Sequence, residues 1–239
     1  MIIFKIKVVG VVFEINAFYE STKDYCSDFL SEGKTDYKIA LTKEDLENEL
    51  SVNGNNQVYV NEEISALYRK IAEVLVDKNI IVFHGSSFAV NGKGFVLTAK
   101  SGVGKSTHAR FLKDAIGEGF TYINDDKPLI KVSDNNVEIY SNPWNGKERR
   151  GNNISAPLRA IIFLNRGKEN SFRKINNNEE TYIKLLSQIY FPKDKSKLES
   201  TLKVADLLLK SINFYEINVT KELESAKMTY KEIIQNEIK

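Results

Sequence analysis

The segment Ala99-Lys100-Ser101-Gly102-Val103-Gly104-Lys105-Ser106 carries the most specific chemistry in the chain. It fits the Walker A pattern of a phosphate-binding loop, with alanine where the first glycine usually stands. Such a loop turns tightly after a strand, so that its backbone N–H groups converge on an anion. Gly102 and Gly104 permit backbone angles and a close approach that a side chain would block. Lys105 is suited to neutralise β- and γ-phosphate charge, and Ser106 offers a hydroxyl to Mg²⁺. A helix starting near Gly104 points its positive end at the anion, which makes Ser101 through Thr107 the expected nucleotide-binding residues.

Asp125 and Asp126 follow, twenty residues beyond Lys105. Two adjacent carboxylates ionise together at a cost unless a cation or solvent compensates. Beside an Mg-nucleotide they divide naturally: one holds the metal, for which Asp126 is the candidate, and the other takes the proton of an attacking hydroxyl. Asp125 is the candidate base. The chain has two histidines. His84 ends an apolar run and precedes Gly85-Ser86-Ser87, whereas His108 falls on the helix after the loop and reads as structural. Arg149, Arg150, Arg159 and Arg166 are candidates to steady a transferring phosphoryl group, since a guanidinium fork suits such anions. Trp144 is a candidate to stack on a base or acceptor, with packing as the commoner role for a tryptophan after proline.

The elements that must position these residues read as follows. Met1–Val9 and Val11–Ile15 alternate as two strands around Gly10. Residues 20–38 have no clear pattern. Thr42 caps a short helix to Leu50, Gln57–Val60 reads as a strand, and Asn61 as the cap of an amphipathic helix. Ile64, Leu67, Tyr68, Ile71, Val74 and Leu75 form its apolar stripe, and Glu62, Glu63, Arg69, Lys70, Glu73 and Asp77 its solvated face. Ile80–Phe83 is a buried strand. Ser86–Val90 and Gly94–Thr98 flank Asn91-Gly92, a strong hairpin signal. The loop and a helix to about Ala115 come next, then a strand Thr121–Ile123 leading into the aspartates. Leu129–Val132 and Val137–Tyr140 pair around Asp134-Asn135-Asn136, and Leu158–Leu164 is a buried strand. Glu179–Tyr190 and Leu198–Ile212 read as helices, Phe214–Val219 as a strand, and a last helix starts near Lys221. Hairpins interrupt the alternation of strand and helix, so the expected fold is α/β with a mixed β-sheet and flanking helices, not a doubly wound parallel sheet. The expected division is a small β-rich lobe with helices over residues 1–75 and a phosphate-loop domain over 76–239.

The stretch from Val82 to Thr107, followed by "TYINDDKPLI", resembles the catalytic domain of HPr kinase/phosphorylase and its smaller HPr kinase-like relatives, an architecture shared with phosphoenolpyruvate carboxykinase. The elements that carry the resemblance are a His-Gly pair, a hairpin feeding a Walker A loop, and an Asp-Asp pair after one helix. It extends over about residues 75 to 220. It implies an enzyme with ATP and Mg²⁺ as cofactors, His84, Asp125 and Asp126 as catalytic residues, and a Ser/Thr hydroxyl of a protein or peptide as acceptor. A small-molecule kinase of the same fold, or a non-catalytic nucleotide-binding module, are the alternatives. ATP, GTP and pyrophosphate all remain open as donors. The pattern departs from the bifunctional enzymes at Ala99 and Lys100, where those usually carry glycine and an acid, and has only a weak counterpart of their Glu-x-Arg-Gly signature at Glu148-Arg149-Arg150-Gly151. HPr itself and the reverse phosphorolysis are therefore not carried over. The resemblance also suggests a homo-oligomer.

Composition agrees with this class. Hydrophobic residues make up 42% and charged residues 28% of 239, typical of a globular chain. A net charge of +2 gives no basic bias toward nucleic acid. Cys26 is a single cysteine with neither a disulfide partner nor a metal-ligating cluster. The apolar amino terminus is broken by Lys5, Lys7 and Glu14, so it reads as strand and not as membrane span. The expected setting is the cytoplasm.

Overall fold

Alternating burial at the amino terminus shapes a two-residue hairpin. β1 (Ile2–Val8) pairs antiparallel with β2 (Val11–Ala17), from Ile2↔Ala17 to Val8↔Val11. Val9 and Gly10, at φ of 50° and 79°, make the turn whose twist matches the strands. The computed structural model describes residues 1–53, 59–100, 102–134 and 136–239, and divides them into two units, Met1–Asp77 and Lys78–Lys239.

In the first unit β3 (Tyr37–Ala40) joins β2 in parallel, with helices α1 (Glu20–Tyr25), α2 (Lys43–Asn53) and α3 (Tyr59–Val76). Thr42 does cap α2: the Asp45 N–H donates to Thr42 Oγ1 at 3.2 Å, and the Thr42 N–H donates back to Asp45 Oδ2 at 2.8 Å. Two expectations fail. Helix α3 already begins at Tyr59, so Tyr59-Val60 is not strand and Asn61 is not a cap; Gln57 and Val58 lie outside the described residues. Glu62 and Glu63 are buried, not solvated. Glu63 accepts from the N–H groups of Phe18 and Tyr19 and from the Thr22 hydroxyl, closing the start of α1, which has no side-chain cap of its own.

The second unit centres on a mixed sheet. β5 (Ser86–Val90) and β6 (Lys93–Thr98) form the hairpin over Asn91-Gly92, whose φ values of 49° and 76° are those the turn demands. β7 (Phe120–Asn124) pairs antiparallel with β5. The long β10 (Ser155–Arg166) pairs parallel with β6 on one side and with β12 (Asn213–Val219) on the other; β11 (Ser171–Lys174), which sequence pattern did not reveal, closes that edge antiparallel to β12. The first residues of β10 instead continue into an antiparallel group with β9 (Asn136–Tyr140), β8 (Leu129–Ser133) and β4 (Ile80–Val82). Asn135, in the turn between β8 and β9, lies outside the described residues.

Helix α4 (Lys105–Ile116) packs on the sheet and against α7 (Leu223–Thr229), over a core that includes the stacked rings of Phe88, Phe95 and Phe120. α5 (Asn178–Leu186) and α6 (Lys195–Ser211) pack together. α5 stops at Leu186, earlier than its pattern suggests, because residues 188–190 turn to run beside β4: the Tyr190 N–H donates to the Val82 carbonyl at 3.0 Å and the His84 N–H to the Gln188 carbonyl at 2.7 Å.

His108 joins α4 to α7, 3.1 Å from Thr229 Oγ1 and 3.4 Å from Ser225 Oγ. Burial pushes its pKa from 6.5 down to about 4. The unfolded chain therefore takes up a proton that the folded chain refuses in this window. Stability is expected to be whole above pH 6.5 and to fall as pH drops toward 4, by about 3 kcal/mol at most from this residue. Urea unfolding at pH 7 and pH 4.5 checks this: His108→Gln should be less stable at pH 7 but lose less on acidification, and equal losses in both proteins would place the proton uptake elsewhere.

Candidate active site

Strand direction gathers the chemistry at one end of the sheet. β6 and β7 are both antiparallel to β5 and so point the same way, and β10 and β12 run parallel to β6. The start of β5 therefore lies beside the ends of β6, β7, β10 and β12. His84 precedes β5, the loop before Lys105 follows β6, Asp125-Asp126 follows β7, and Arg166 ends β10.

In the loop, Gly102 and Gly104 take φ of 79° and 111°, where a β-carbon is strained. Ala99 is not among the positive-φ positions, so alanine is accommodated where glycine is usual. Ser101 lies outside the described residues. α4 starts at Lys105 with Gly104 as its cap, leaving its first N–H groups without helical acceptors. Arg166 holds the loop from below: Nε donates to the Val103 carbonyl at 2.8 Å and Nη2 to the Gly102 carbonyl at 3.3 Å.

Lys105 Nζ is 3.1 Å from His84 Nε2, and His84 Nδ1 is 3.2 Å from Gln188 Oε1. With lysine donating, the imidazole is neutral and carries its proton on Nδ1, directed at Gln188. Burial, then the Lys105 charge, depresses the His84 pKa. Burial likewise depresses that of Lys105, opposed by the charges of Asp126 and Asp125. Thr98 Oγ1 lies 2.8 Å from both the His84 carbonyl and Gln188 Oε1, and its hydroxyl donates to one of them at a time.

Asp125 is only 7% exposed. Its Oδ1 accepts from Ser86 Oγ at 2.5 Å, and its Oδ2 faces Arg150 Nη1 at 3.4 Å. Burial raises its pKa, although Ser86, Arg150 and Lys105 oppose the rise. Asp126 is more open; its Oδ2 pairs with Lys127 Nζ at 2.7 Å and its Oδ1 stands 3.8 Å from His84 Nε2. Asn124 shapes the turn that presents both carboxylates, its Oδ1 accepting from the N–H groups of Asp126 at 3.0 Å and Lys127 at 2.8 Å. Asn142 and Asn145 secure this turn, the first near Asn124 Nδ2 at 3.3 Å and the second accepting from the Asp125 N–H at 2.7 Å.

A cleft of about 490 Å³ opens between these groups, lined by Lys105, Ser106, Thr107 and Arg110 on one side and Asp125, Asp126 and Arg150 on the other. Of the four arginines singled out in the sequence, Arg150 alone lines this cleft. Arg166 grips the loop backbone and Arg149 is exposed. Arg159 lies seven residues back along β10, roughly 23 Å in an extended strand, beside Lys210 and Glu237. Trp144 is 5% exposed and packs inside, so it is not open for stacking. Sequence reasoning missed Ser86, Thr98, Gln188 and the asparagines. Of these, only Asn124 carried a local signal, as an Asx residue directly before the acid pair.

Among the described residues no group of three or more His, Cys, Asp or Glu side chains forms a metal cage. Mg²⁺ bound with a nucleotide needs none: it takes one or two carboxylates, with phosphates and waters completing its shell. The Ser106 hydroxyl and the open Asp126 carboxylate at this cleft fit that donor set. Among the described residues no helix is long and apolar enough to cross a membrane.

No protein-family model matches the chain. No curated protein matches it either. Among solved structures, the Hpr(Ser) kinase/phosphatase from Coxiella burnetii aligns with 53% of this chain and 93% of its own length, at 15% identity and a TM-score of 0.28. Similarity of that size assigns neither fold nor function, and the mixed α/β fold stands on the strand order described above.

Proposed function

We propose that the chain is a nucleotide-dependent phosphotransferase of the HPr kinase-like kind, transferring a phosphoryl group to a Ser/Thr hydroxyl of a protein or peptide. The observation that carries this reading is the meeting of Lys105, His84, Asp125 and Asp126 at one end of the sheet, beside a loop with glycine φ values of 79° and 111°. In this reading residues 76–239 form the catalytic domain and the first 75 an accessory lobe.

Residues Ser101 to Thr107 bind the donor phosphates through loop N–H groups and Lys105. Ser106 and Asp126 hold Mg²⁺, which when bound supplies charge neutralisation at the β- and γ-phosphates. Asp125 accepts the proton of the acceptor hydroxyl, a task suited to a carboxylate whose proton affinity burial has raised. Neutral His84 accepts from Lys105 Nζ and so positions that ammonium for the γ-phosphoryl oxygens, its tautomer fixed by Gln188. Arg150 balances the charge of Asp125 and adds a cation to the cleft.

Purified protein should gain thermal stability with millimolar Mg-ATP, because a ligand selective for the folded state stabilises it by mass action. It should also transfer label from γ-labelled ATP to a Ser- or Thr-containing protein or peptide acceptor. A melting temperature unmoved by ATP, GTP and pyrophosphate alike would remove the proposal.

A further inference from the structure

β7 stands last in the strand order of its sheet and, among the described residues, pairs with β5 alone. An end strand presents backbone groups that no neighbouring strand takes up. Residues 142–152, between β9 and β10, bond to β7 and its following turn mainly through asparagine amides. Asn152 Nδ2 donates to the Tyr122 carbonyl at 2.9 Å, and the Asp125 N–H donates to Asn145 Oδ1 at 2.7 Å. Asn124 Nδ2 lies 3.3 Å from the carbonyls of Asn142 and Trp144. The segment is thus fastened to the strand that carries the acid pair, and it brings Arg150 Nη1 to 3.4 Å from Asp125 Oδ2.

Two glycines set how closely this segment lies. A β-carbon on Gly151 would stand 2.5 Å from the Ile123 carbonyl oxygen and would overlap Asn145 Nδ2. The first is backbone of β7, and the second belongs to a side chain already tied to the Asp125 N–H. Neither yields unless the segment lifts or the acid turn is released. Gly146 has φ of 67°, and a β-carbon there would meet Asp126 Cβ at 3.3 Å. Arg150 directly precedes Gly151, and its Nη2 is held by Glu148 of the same segment at 3.3 Å, so the guanidinium is tied to the backbone that would move. We propose that residues 142–152 act as a positioning strap for Arg150, seated at its depth on β7 by Gly151 and held there by Asn152. The effect on rate rests on the phosphotransferase reading above, to which this adds the part of the fold that sets the charge beside the base.

A double-mutant cycle of Gly151→Ala and Arg150→Gln tests this, read as single-turnover hydrolysis of γ-labelled Mg-ATP with water as the acceptor. Gly151→Ala should lower the rate by about tenfold while Mg-ATP affinity stays within about twofold. In the Arg150→Gln background it should lower the rate no further, because the group it positions is gone. A merely structural role would cost the same in both backgrounds, and that result would overturn the proposal. A crystal structure of Gly151→Ala reads the position without any turnover: Arg150 should stand beyond about 4 Å, the reach of an ion pair, from Asp125. An Arg150 still at its wild-type distance would overturn the proposal as well. Asn152→Ala inserts no atom and replaces Gly151→Ala in both measurements if that variant does not fold, with the same outcomes expected. A wild type that binds Mg-ATP but never hydrolyses or transfers it would end the phosphotransferase reading, and the Arg150 distance in the variant would still decide the strap.

Discussion

Asp125→Asn is expected to leave Mg-nucleotide affinity within about twofold of wild type and to lower single-turnover phosphorylation by about 10²–10⁴-fold, the usual worth of a positioned general base. The carboxylate is buried, accepts from Ser86 at 2.5 Å and faces Arg150 at 3.4 Å. Asparagine preserves the acceptor oxygen for Ser86 but cannot take a proton. Asp126→Asn should behave differently, weakening nucleotide binding and turnover together, because the more open carboxylate is the proposed metal ligand. The pH dependence follows from charge. Burial raises the Asp125 pKa and Arg150 opposes the rise. The rate should therefore climb with pH through a value above the ordinary carboxylate range. Arg150→Gln, by removing the opposing charge, should move that limb to higher pH. Single-turnover kinetics and nucleotide titration on the three variants decide the matter, and unaltered turnover in both aspartate variants would end the carboxylate mechanism.

What could be read from the sequence was what neighbouring residues dictate. Asn91-Gly92 announced its hairpin because the turn demands positive φ at both positions, and those are the angles found. The strand–loop–helix around Gly102, Gly104 and Lys105 was legible for the same reason. What escaped depends on partners distant in the chain. Glu63 looks like one more charge on a helix until Phe18, Tyr19 and Thr22, 41 to 45 residues earlier at the start of α1, supply the N–H groups and hydroxyl that it accepts. Gln188 fits a helical pattern, yet the chain leaves that pattern to pair with β4, and only then does Gln188 reach His84 and Thr98. Arg159 and Arg166 share a strand and a residue type; which of them meets the loop is fixed by the direction of β10, a property of the sheet and not of either arginine.

Lys105→Ala is expected to abolish most of the stabilisation by Mg-nucleotide and to lower kcat/KM by about 10³-fold, at the upper end of what one preorganised electrostatic donor contributes. The side chain carries the charge in the loop-proximal turn of α4, touches His84 at 3.1 Å and is subject to the charges of Asp126 and Asp125. Its own pKa is depressed by burial and partly restored by Asp126 and Asp125, so phosphate binding would place a third anionic group against it and hold it charged. A second consequence is readable without any substrate. The Lys105 charge is one of the causes that depress the His84 pKa, so removing it should raise that pKa, while burial continues to hold it below the ordinary value. A proton NMR titration resolves this directly, because the other histidine, His108, titrates near pH 4 and serves as an internal reference. Lys105→Arg sharpens the test: it keeps the charge but replaces a compact ammonium with a planar fork, so the His84 pKa should stay low while turnover falls. Normal nucleotide stabilisation in Lys105→Ala would detach the loop from function, and an unmoved His84 titration would show that the 3.1 Å contact between the two side chains does not govern the imidazole.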